Sequence, residues 1–354
     1  MIHDLPPLQE KPSAWFGPEI AKQQEKWILE LTPAWITELE AAAKKYLANG
    51  QGIGKMTQSD FNLPNFGKKL LQIQNELIHG IGFSIIRGLP ITTYTEEEIM
   101  TIFFGIGAHL GMARSQNAAG HLIGHVRNLG MDSSDPKVRI YQTNERQTFH
   151  TDSCDVVGLL CYQPAKEGGL SLLVSADTVF NEMHNKRPDL LQLLLEPIAT
   201  DRRGEVPEGM QPYLLIPVFS YFKGYITPFY QRQYIESAQR FEQAPRLTEQ
   251  HIEALDVFDT LCNSPELHLS MLLEKGDMQF VYNHAMLHDR TGFVDFDEIE
   301  KRRHLLRLWL TIPGDRPLPD IFTTRFGSVE IGNRGGILVP ETQLQVPRIS
   351  DLFK

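Results

Sequence analysis

The sequence predicts a mainly β fold with helical decorations: a double-stranded β-helix (jelly-roll) core with helices on its outside. Three observations lead there. From about residue 138 onward, short apolar runs separated by turn residues recur at a spacing that suits antiparallel strands. The first 110 residues instead place apolar side chains at helical spacing between helix caps. No repeat, low-complexity tract or linker separates the two regions. The 354 residues are therefore read as one domain (1–354), with a helix-rich N-terminal region, residues 1–110, packed on a jelly-roll core, residues 111–354, although length alone would suggest about two domains.

Thr32 caps a helix that begins with Pro33, carries Ile36, Leu39, Ala43 and Tyr46 on one face, and is closed by Gly50. A second helix is expected at about 64–79 and a strand over 82–88. Thr95 and Glu98 form a capping box for a helix that Gly111 stops. Strands are then expected at 138–143, 156–162 and 170–176, a helical insertion at 177–197, and strands again within 213–226. Thr248 caps a helix with Ile252, Leu255, Phe258 and Leu261 on a shared face. Runs at 267–273, 278–282 and 304–311 complete the β region.

Hydrophobic residues at 42% and charged residues at 22% exclude disorder as the main state. With 34 basic and 44 acidic residues the net charge is −10, which argues against nucleic acid as a partner. No apolar stretch is long enough for a membrane span, and the start lacks the basic and apolar regions of a signal peptide. Three cysteines without CxxC spacing suggest a reducing, cytoplasmic setting. A small-molecule substrate is the expected partner, and a homo-oligomer is compatible with these features.

Among twelve histidines, one begins a His-x-Asp, His150-Thr151-Asp152. On an extended chain residues i and i+2 point to one side, so this imidazole and carboxylate can share a metal ion. The triplet His251-Ile252-Glu253 sits in a predicted helix, where i and i+2 diverge by about 200°, and is rejected. Two imidazoles and a carboxylate on one face of an octahedron suit Fe(II) oxygenases. Spacing alone leaves both His284 and His288 open as the third ligand. Beyond them, Arg303 and Arg307 share a strand face, where a guanidinium needs an anion such as a dicarboxylate cosubstrate. The glycines of 105–111 end a helix and are read as packing and capping features rather than as a dinucleotide loop.

Taken together, the residues resemble the TauD/TfdA-like (taurine dioxygenase, clavaminate-synthase-like) family of Fe(II)- and 2-oxoglutarate-dependent oxygenases over most of the chain. The resemblance is carried by Ser115-Gln116-Asn117, by 124–130, by Phe149-His150-Thr151-Asp152, by Pro164 to Ser171 (Pro-x-x-x-Gly-Gly-x-Ser), by 283–293 and by 302–307. It implies that His288, with His150 and Asp152, binds iron and that His284 does not. It further implies that Ser171 and mainly Arg307, with Arg303 as helper, bind 2-oxoglutarate, and that O₂ is the oxidant. The family often has Leu-His-Gly-Arg-Thr where this chain has Asp289 in place of the glycine, which changes loop shape and polarity beside the metal. The intact Asp152 disfavours halogenation.

The expected reaction is oxidation of an unactivated C–H of a small polar metabolite (an amino acid, a sulfonate or another small acid), by hydroxylation, desaturation or cyclisation. The rivals are a metalloenzyme with the same three ligands that does not use 2-oxoglutarate, and an inactive binding protein on the same barrel. For substrate contacts, strand parity with His150 points to Asn144 and Arg146, and the preceding loop to Asn117. Arg146 is expected to reach back to an anionic substrate group, or else to pair with Glu145 or Asp155.

Overall fold

The structure is a computed structural model that describes residues 5–131, 140–339 and 342–349. Its N-terminal helices are α1 (Pro33–Ala48), α2 (Phe66–His79) and α3 (Glu96–Leu110). Thr32 accepts from the Trp35 N–H at 3.3 Å, and Thr95 and Glu98 cap each other's backbone, so both sequence caps operate. Further helices follow at α4 (Ala176–Lys186), α5 (Pro188–Leu194) and α6 (Glu249–Cys262). The buried face of α6 is Ala254, Leu255, Phe258 and Cys262, whereas Ile252 is exposed. The buried stripe is thus rotated by a fraction of a turn from the expected one.

Two sheets hold the site. The larger contains β1 (Ile28–Glu30), β2 (Phe83–Arg87), β3 (Met112–Ala113), β4 (Ile123–Arg127), β6 (Val156–Gln163), β9 (Met278–Tyr282) and β11 (His304–Thr311). The smaller contains β5 (Gln147–His150), β7 (Ser171–Ser175), β8 (His268–Met271) and β10 (Met286–Arg290). The large sheet runs β1-β2-β9-β6-β11-β3, with β4 also on β11. Only the β1–β2 pair is parallel. The small sheet is antiparallel in the order β8-β7-β10-β5, so β5 is an edge strand. Residues 213–228 make short hairpin strands outside both sheets. Of the strand expected at 138–143, residues 138–139 lie outside the described residues and Ile140–Gln142 is a 3₁₀ turn.

Helices cover one face of each sheet. Leu39, Phe66, Leu70 and Phe103 pack with Ile85, Phe280, Leu306 and Leu308 of the large sheet. Val179, Phe180, Leu255 and Phe258 pack with Leu172, Val174 and Leu287 of the small one. Strand alternation then turns Arg307 and Trp309, and opposite them His288, toward the space between the sheets.

Under that space lies a buried ion network. Arg334, wholly buried, donates from Nε to Asp155 at 2.8 Å and from NH2 to Asp315 at 2.7 Å. Asp155 also accepts from Thr311 Oγ1 at 2.9 Å and the Ile312 N–H at 3.0 Å, and it lies 2.8 Å from His284 Nε2. Breaking a buried pair by removing one partner costs about 3–5 kcal/mol. Arg334→Met is therefore expected to destabilise the protein by about that amount, read from urea unfolding.

A buried histidine pair adds a pH dependence. His125 Nδ1 and His304 Nε2 are 2.9 Å apart. Burial pushes His125 down to about 4 and His304 well below its usual range. The unfolded chain takes up these protons from about pH 6.5 downward, before the folded one does. Stability from this pair is thus complete above pH 6.5 and falls between 6.5 and about 4, by at most about 1.4 kcal/mol per pH unit for each histidine. Unfolding midpoints across that window should drop with pH, and His125→Asn should flatten the slope.

Candidate metal centre and its two cavities

β5 brings His150 directly opposite His288 of β10, with ring centroids 4.1 Å apart. Asp152 follows where the chain leaves the strand. There Asn283, from the β9–β10 turn, accepts the Asp152 N–H at 3.1 Å and donates to the Cys154 carbonyl at 3.0 Å, so one amide shapes the loop. His150 Nδ1 donates to the Thr148 carbonyl at 2.9 Å, which leaves Nε2 as the lone-pair nitrogen; the Gln147 amide donates to it at 2.9 Å.

Asp152 lies 4.0 Å from His150 Nε2 and 3.8 Å from His288 Nε2. The three donor atoms all lie within 4.8 Å of one another. Ligands about 2.1 Å from a shared ion lie up to about 4.2 Å apart, so one ion can serve all three after a small closure. Burial pushes His288 down to about 3 and lowers His150 as well, so both rings are neutral and offer lone pairs. Burial alone would raise the Asp152 carboxyl, but the Arg307 guanidinium foremost, with the Trp309 N–H and any charge on the two histidines in acid, outweighs it and holds the group at about 2. Two neutral imidazoles and a carboxylate are a donor set that fits Fe(II).

A second cluster, Asp155, His284 and Asp315, also has ligand-like spacing. The guanidinium of Arg334 already satisfies both of its carboxylates, which marks it as structural. His284 belongs to this second cluster and His288 to the first.

A narrow cleft leads from the histidines between the sheets, past Ser171, Arg290, Arg303 and Leu159. Ser171 and Arg290 are cross-strand neighbours on β7 and β10. Nε and NH1 of Arg290 and NH1 of Arg303 are buried and have no hydrogen-bond partner among the described residues. Both guanidiniums lie over the Phe293 ring, at 4.8 and 5.1 Å. Burial pushes Arg303 down to about 10 and Arg290 to about 9, the latter also through its neighbour Arg303. Two desolvated cations with no carboxylate in contact among the described residues require an anion. Gly169, with positive φ, makes room for Arg303: a Cβ there would sit 3.0 Å from Arg303 Nε.

Arg307 is already engaged. Its Nε donates to Gln116 Oε1 at 2.7 Å and NH1 donates to Asp152 at 3.2 Å, while the Gln116 amide returns a bond to the Arg307 carbonyl at 2.7 Å. The Trp309 indole donates to the same Asp152 oxygen at 2.9 Å. Arg307 lines the narrow cleft too, and with His150 and Gln147 it is shared with a larger cavity of about 250 Å³, whose lining includes Asn117, Gln142, Gln231, Tyr234 and Arg325. Gln231 pairs with the backbone of His150, and its buried Oε1 has no partner among the described residues.

Of the substrate contacts expected from the sequence, Asn117 lines the larger cavity. Arg146 and Asn144 do not. The chain bends at 143–145 and the strand starts only at Gln147, so the parity that aimed these residues inward is lost. Asn144 is exposed, and its carbonyl accepts from the Phe293 N–H. Arg146 forks onto Asp289, with NH2 to Oδ2 at 2.6 Å, rather than reaching a substrate or pairing with Glu145 or Asp155. Trp309 was within reach of a parity argument from Arg307. Gln231 and Arg325 arrive from distant segments and carry no local signal.

A family model described as "Taurine catabolism dioxygenase TauD, TfdA family" matches residues 44–309. The chain belongs to this family. It is 31% identical over 319 residues to the FR-33289 synthase of Streptomyces rubellomurinus, covering 88% of this chain and 93% of that protein. A taurine hydroxylase-like protein of Stachybotrys chartarum is 28% identical over 305 residues, covering 83% and 77%. Among solved structures, asparagine oxygenase in complex with Fe(II), 2S,3S-3-hydroxyasparagine and succinate shares the fold at a TM-score of 0.62 and 16% identity, covering 80% of this chain and 93% of that one. The oxygenase OrfP with Fe and α-ketoglutaric acid follows at 0.60 and 15%, with the same coverage. This TauD-family chain is a 2-oxoglutarate-dependent dioxygenase, an oxidoreductase that uses Fe(II), 2-oxoglutarate and O₂. No helix among the described residues is long and apolar enough to cross a membrane.

The geometry sets an expected outcome for metal binding. His150→Ala, Asp152→Ala and His288→Ala should each abolish stoichiometric Fe(II) binding in anaerobic titration calorimetry, and His284→Ala should retain it. Retention in His288→Ala with loss in His284→Ala would exchange the two histidines.

Proposed function

We propose that His150, Asp152 and His288 hold Fe(II), and that Arg303, with Arg290 and Ser171, holds the distal carboxylate of 2-oxoglutarate. The substrate, a small polar metabolite, occupies the larger cavity. The observation that carries this reading is the pair of buried guanidiniums, with unpartnered nitrogens among the described residues, in a cleft that also reaches both histidines. It reverses the order expected from the sequence. Arg303 becomes the main cosubstrate cation, because Arg307 is committed to Gln116 and Asp152. A rival that does not use 2-oxoglutarate leaves these cations without a purpose.

Iron so held would supply activation of O₂, one oxygen atom going to the substrate C–H and the other to succinate as 2-oxoglutarate loses CO₂. The chain's own residues bind and orient. Arg303 offers a fork to a carboxylate, and the Ser171 hydroxyl, which donates to Gln279 at 3.0 Å, lies on the same cleft. Arg307 and Trp309 fix the Asp152 carboxylate and keep it ionised. The larger cavity is lined by the amides of Asn117, Gln142 and Gln231, and by Arg307 and Arg325, each of which already faces a carboxylate, Asp152 and Glu205 respectively. With Asp201 and Glu205 also on its wall, that lining carries both signs of charge and suits a small polar substrate with several hydrogen-bonding groups, and hydroxylation is the reaction assigned to it. The same reading takes the two sheets as the halves of a jelly roll within one domain, 1–354, on which the helices of 1–110 pack. The three cysteines, all free and buried, fit a reducing cytoplasm.

Removing one partner of a buried ion pair costs about 3–5 kcal/mol, or two or more decades in affinity. Arg303→Met should therefore raise the 2-oxoglutarate requirement for succinate release at least a hundredfold while leaving Fe(II) bound. Arg307→Met should act mainly on substrate coupling. Loss of cosubstrate binding in Arg307→Met with retention in Arg303→Met would restore the opposite assignment. Turnover independent of 2-oxoglutarate would end this mechanism.

A further inference from the structure

The first iron-site histidine is bridged on one side to Gln231, but the ladder that joins it to the strand of the second histidine is short. β5 is four residues long and lies at the edge of its sheet. Its register with β10 consists of two pairs, His288 with His150 and Arg290 with Gln147, and the register shifts between them. An irregular two-pair ladder defines the separation of the two strands poorly by itself. Yet the site requires His150 and His288 to hold their donor atoms to a few tenths of an ångström.

Immediately before β5, Arg146 spans to Asp289, the residue that follows His288. Arg146 Nε lies 3.0 Å from Asp289 Oδ2 and 3.3 Å from Oδ1, and NH2 lies 2.6 Å from Oδ2. The Asp289 side chain is fully buried. By strand alternation it faces away from His288, with Leu287, toward the helical layer. Arg146 NH2 also donates to Asn263 Oδ1 at 2.5 Å, and Asn263 is the C-cap of α6. A second tie runs the same way, because Arg290 NH2 donates to the Glu145 carbonyl. The fork therefore joins β5, β10 and α6 at the point where the ladder is irregular.

We propose that the Arg146–Asp289 fork is a positioning device that fixes the separation of His150 and His288, and thereby the fit of the metal. Arg146 is a positioning residue in this account and not a substrate contact. The proposal rests on the reading of His150, Asp152 and His288 as the metal ligands. It also gives the aspartate at 289 a task that a glycine there cannot perform: in this chain the side chain at 289 supplies the tie.

The test uses the full-length protein and Co(II) as an oxygen-stable probe, with affinity from calorimetry, coordination from the Co(II) visible absorption bands, and the melting temperature of the metal-free protein. Residues that orient metal ligands typically contribute about 10- to 100-fold in affinity. Arg146→Met and Asp289→Gly should each weaken Co(II) binding at least tenfold and alter the Co(II) bands, with Arg146→Lys intermediate because it keeps the charge and loses the fork. The double variant Arg146→Met/Asp289→Gly should lose no more than either single variant, as expected of two halves of one device.

Co(II) affinity within twofold of wild type in Arg146→Met, with only a lower melting temperature, would overturn the proposal and leave an ordinary ion pair. Recovery of wild-type affinity in the double variant would also overturn it, since Arg146 would then only neutralise a buried carboxylate. Wild-type affinity in His150→Ala and His288→Ala would instead bring down the reading of the metal site itself, and this proposal with it.

Discussion

Charge buried away from water must be met by opposite charge or by hydrogen bonds, and most of this site follows from that constraint. The loop after β5 carries two carboxylates three residues apart, Asp152 and Asp155, and both are largely or wholly buried. They cannot share a counter-ion without leaving some charge uncompensated elsewhere. Asp152 turns toward Arg307, Trp309 and the two histidines, and Asp155 toward Arg334 and His284. The loop is thereby pinned from two sides, with Asn283 closing its backbone between them. The carboxylate that faces the metal site is thus held by groups whose own places are set by β11 and by the C-terminal segment around Arg334.

The same constraint separates the two arginines of β11 and its approach. Arg303 and Arg307 are both buried, four residues apart, and their residue types are identical. They differ in what surrounds them. Arg307 meets a carboxylate and an amide, which compensate its charge within the protein. Arg303 meets the Phe293 ring and the backbone near Gly169, and burial carries it down to about 10. Residue type and spacing make both candidates, and their surroundings are what distinguish them in the proposed assignment.

What could be read in the sequence follows the same division. Local signals were dependable: the caps at Thr32, Thr95 and Thr248 operate as written, and the strands at 156–163, 278–282 and 304–311 lie where the apolar runs put them. The His-x-Asp and the helical His251-Ile252-Glu253 are both matters of local geometry: the structure groups His150 and Asp152 with His288 and places 251–253 in a helix. Family resemblance, and not spacing, separated His288 from His284. The structure supplies the physical difference, since His284 is taken up by Asp155. Errors arose where one local assumption was extended too far. Parity counted backward from His150 does not carry past Gln147, because the chain bends at 143–145 and leaves Arg146 and Asn144 off the larger cavity. The face of α6 was misjudged because Cys262 and Ala254 are less conspicuous than Ile252 and Leu261. Gln231 and Arg325 were invisible because only the tertiary fold brings them to the cavity.

Asp289 shows how a departure from a family pattern can be read physically. Beside His288, the proposed metal ligand, an acidic residue in place of a glycine looks at first like a change in the chemistry of the site. Strand alternation points its side chain, with Leu287, to the other face of β10, although the residue still borders the cleft. On that side a lone carboxylate would be an unpaired buried charge, and the structure provides Arg146 at a distance suited to a fork. The arginine is available because the bend at 143–145 turns it away from the cavity. The misplaced substrate contact and the unexplained aspartate are therefore one feature. It lies behind the histidines rather than in front of them, and it ties together the strands that carry them.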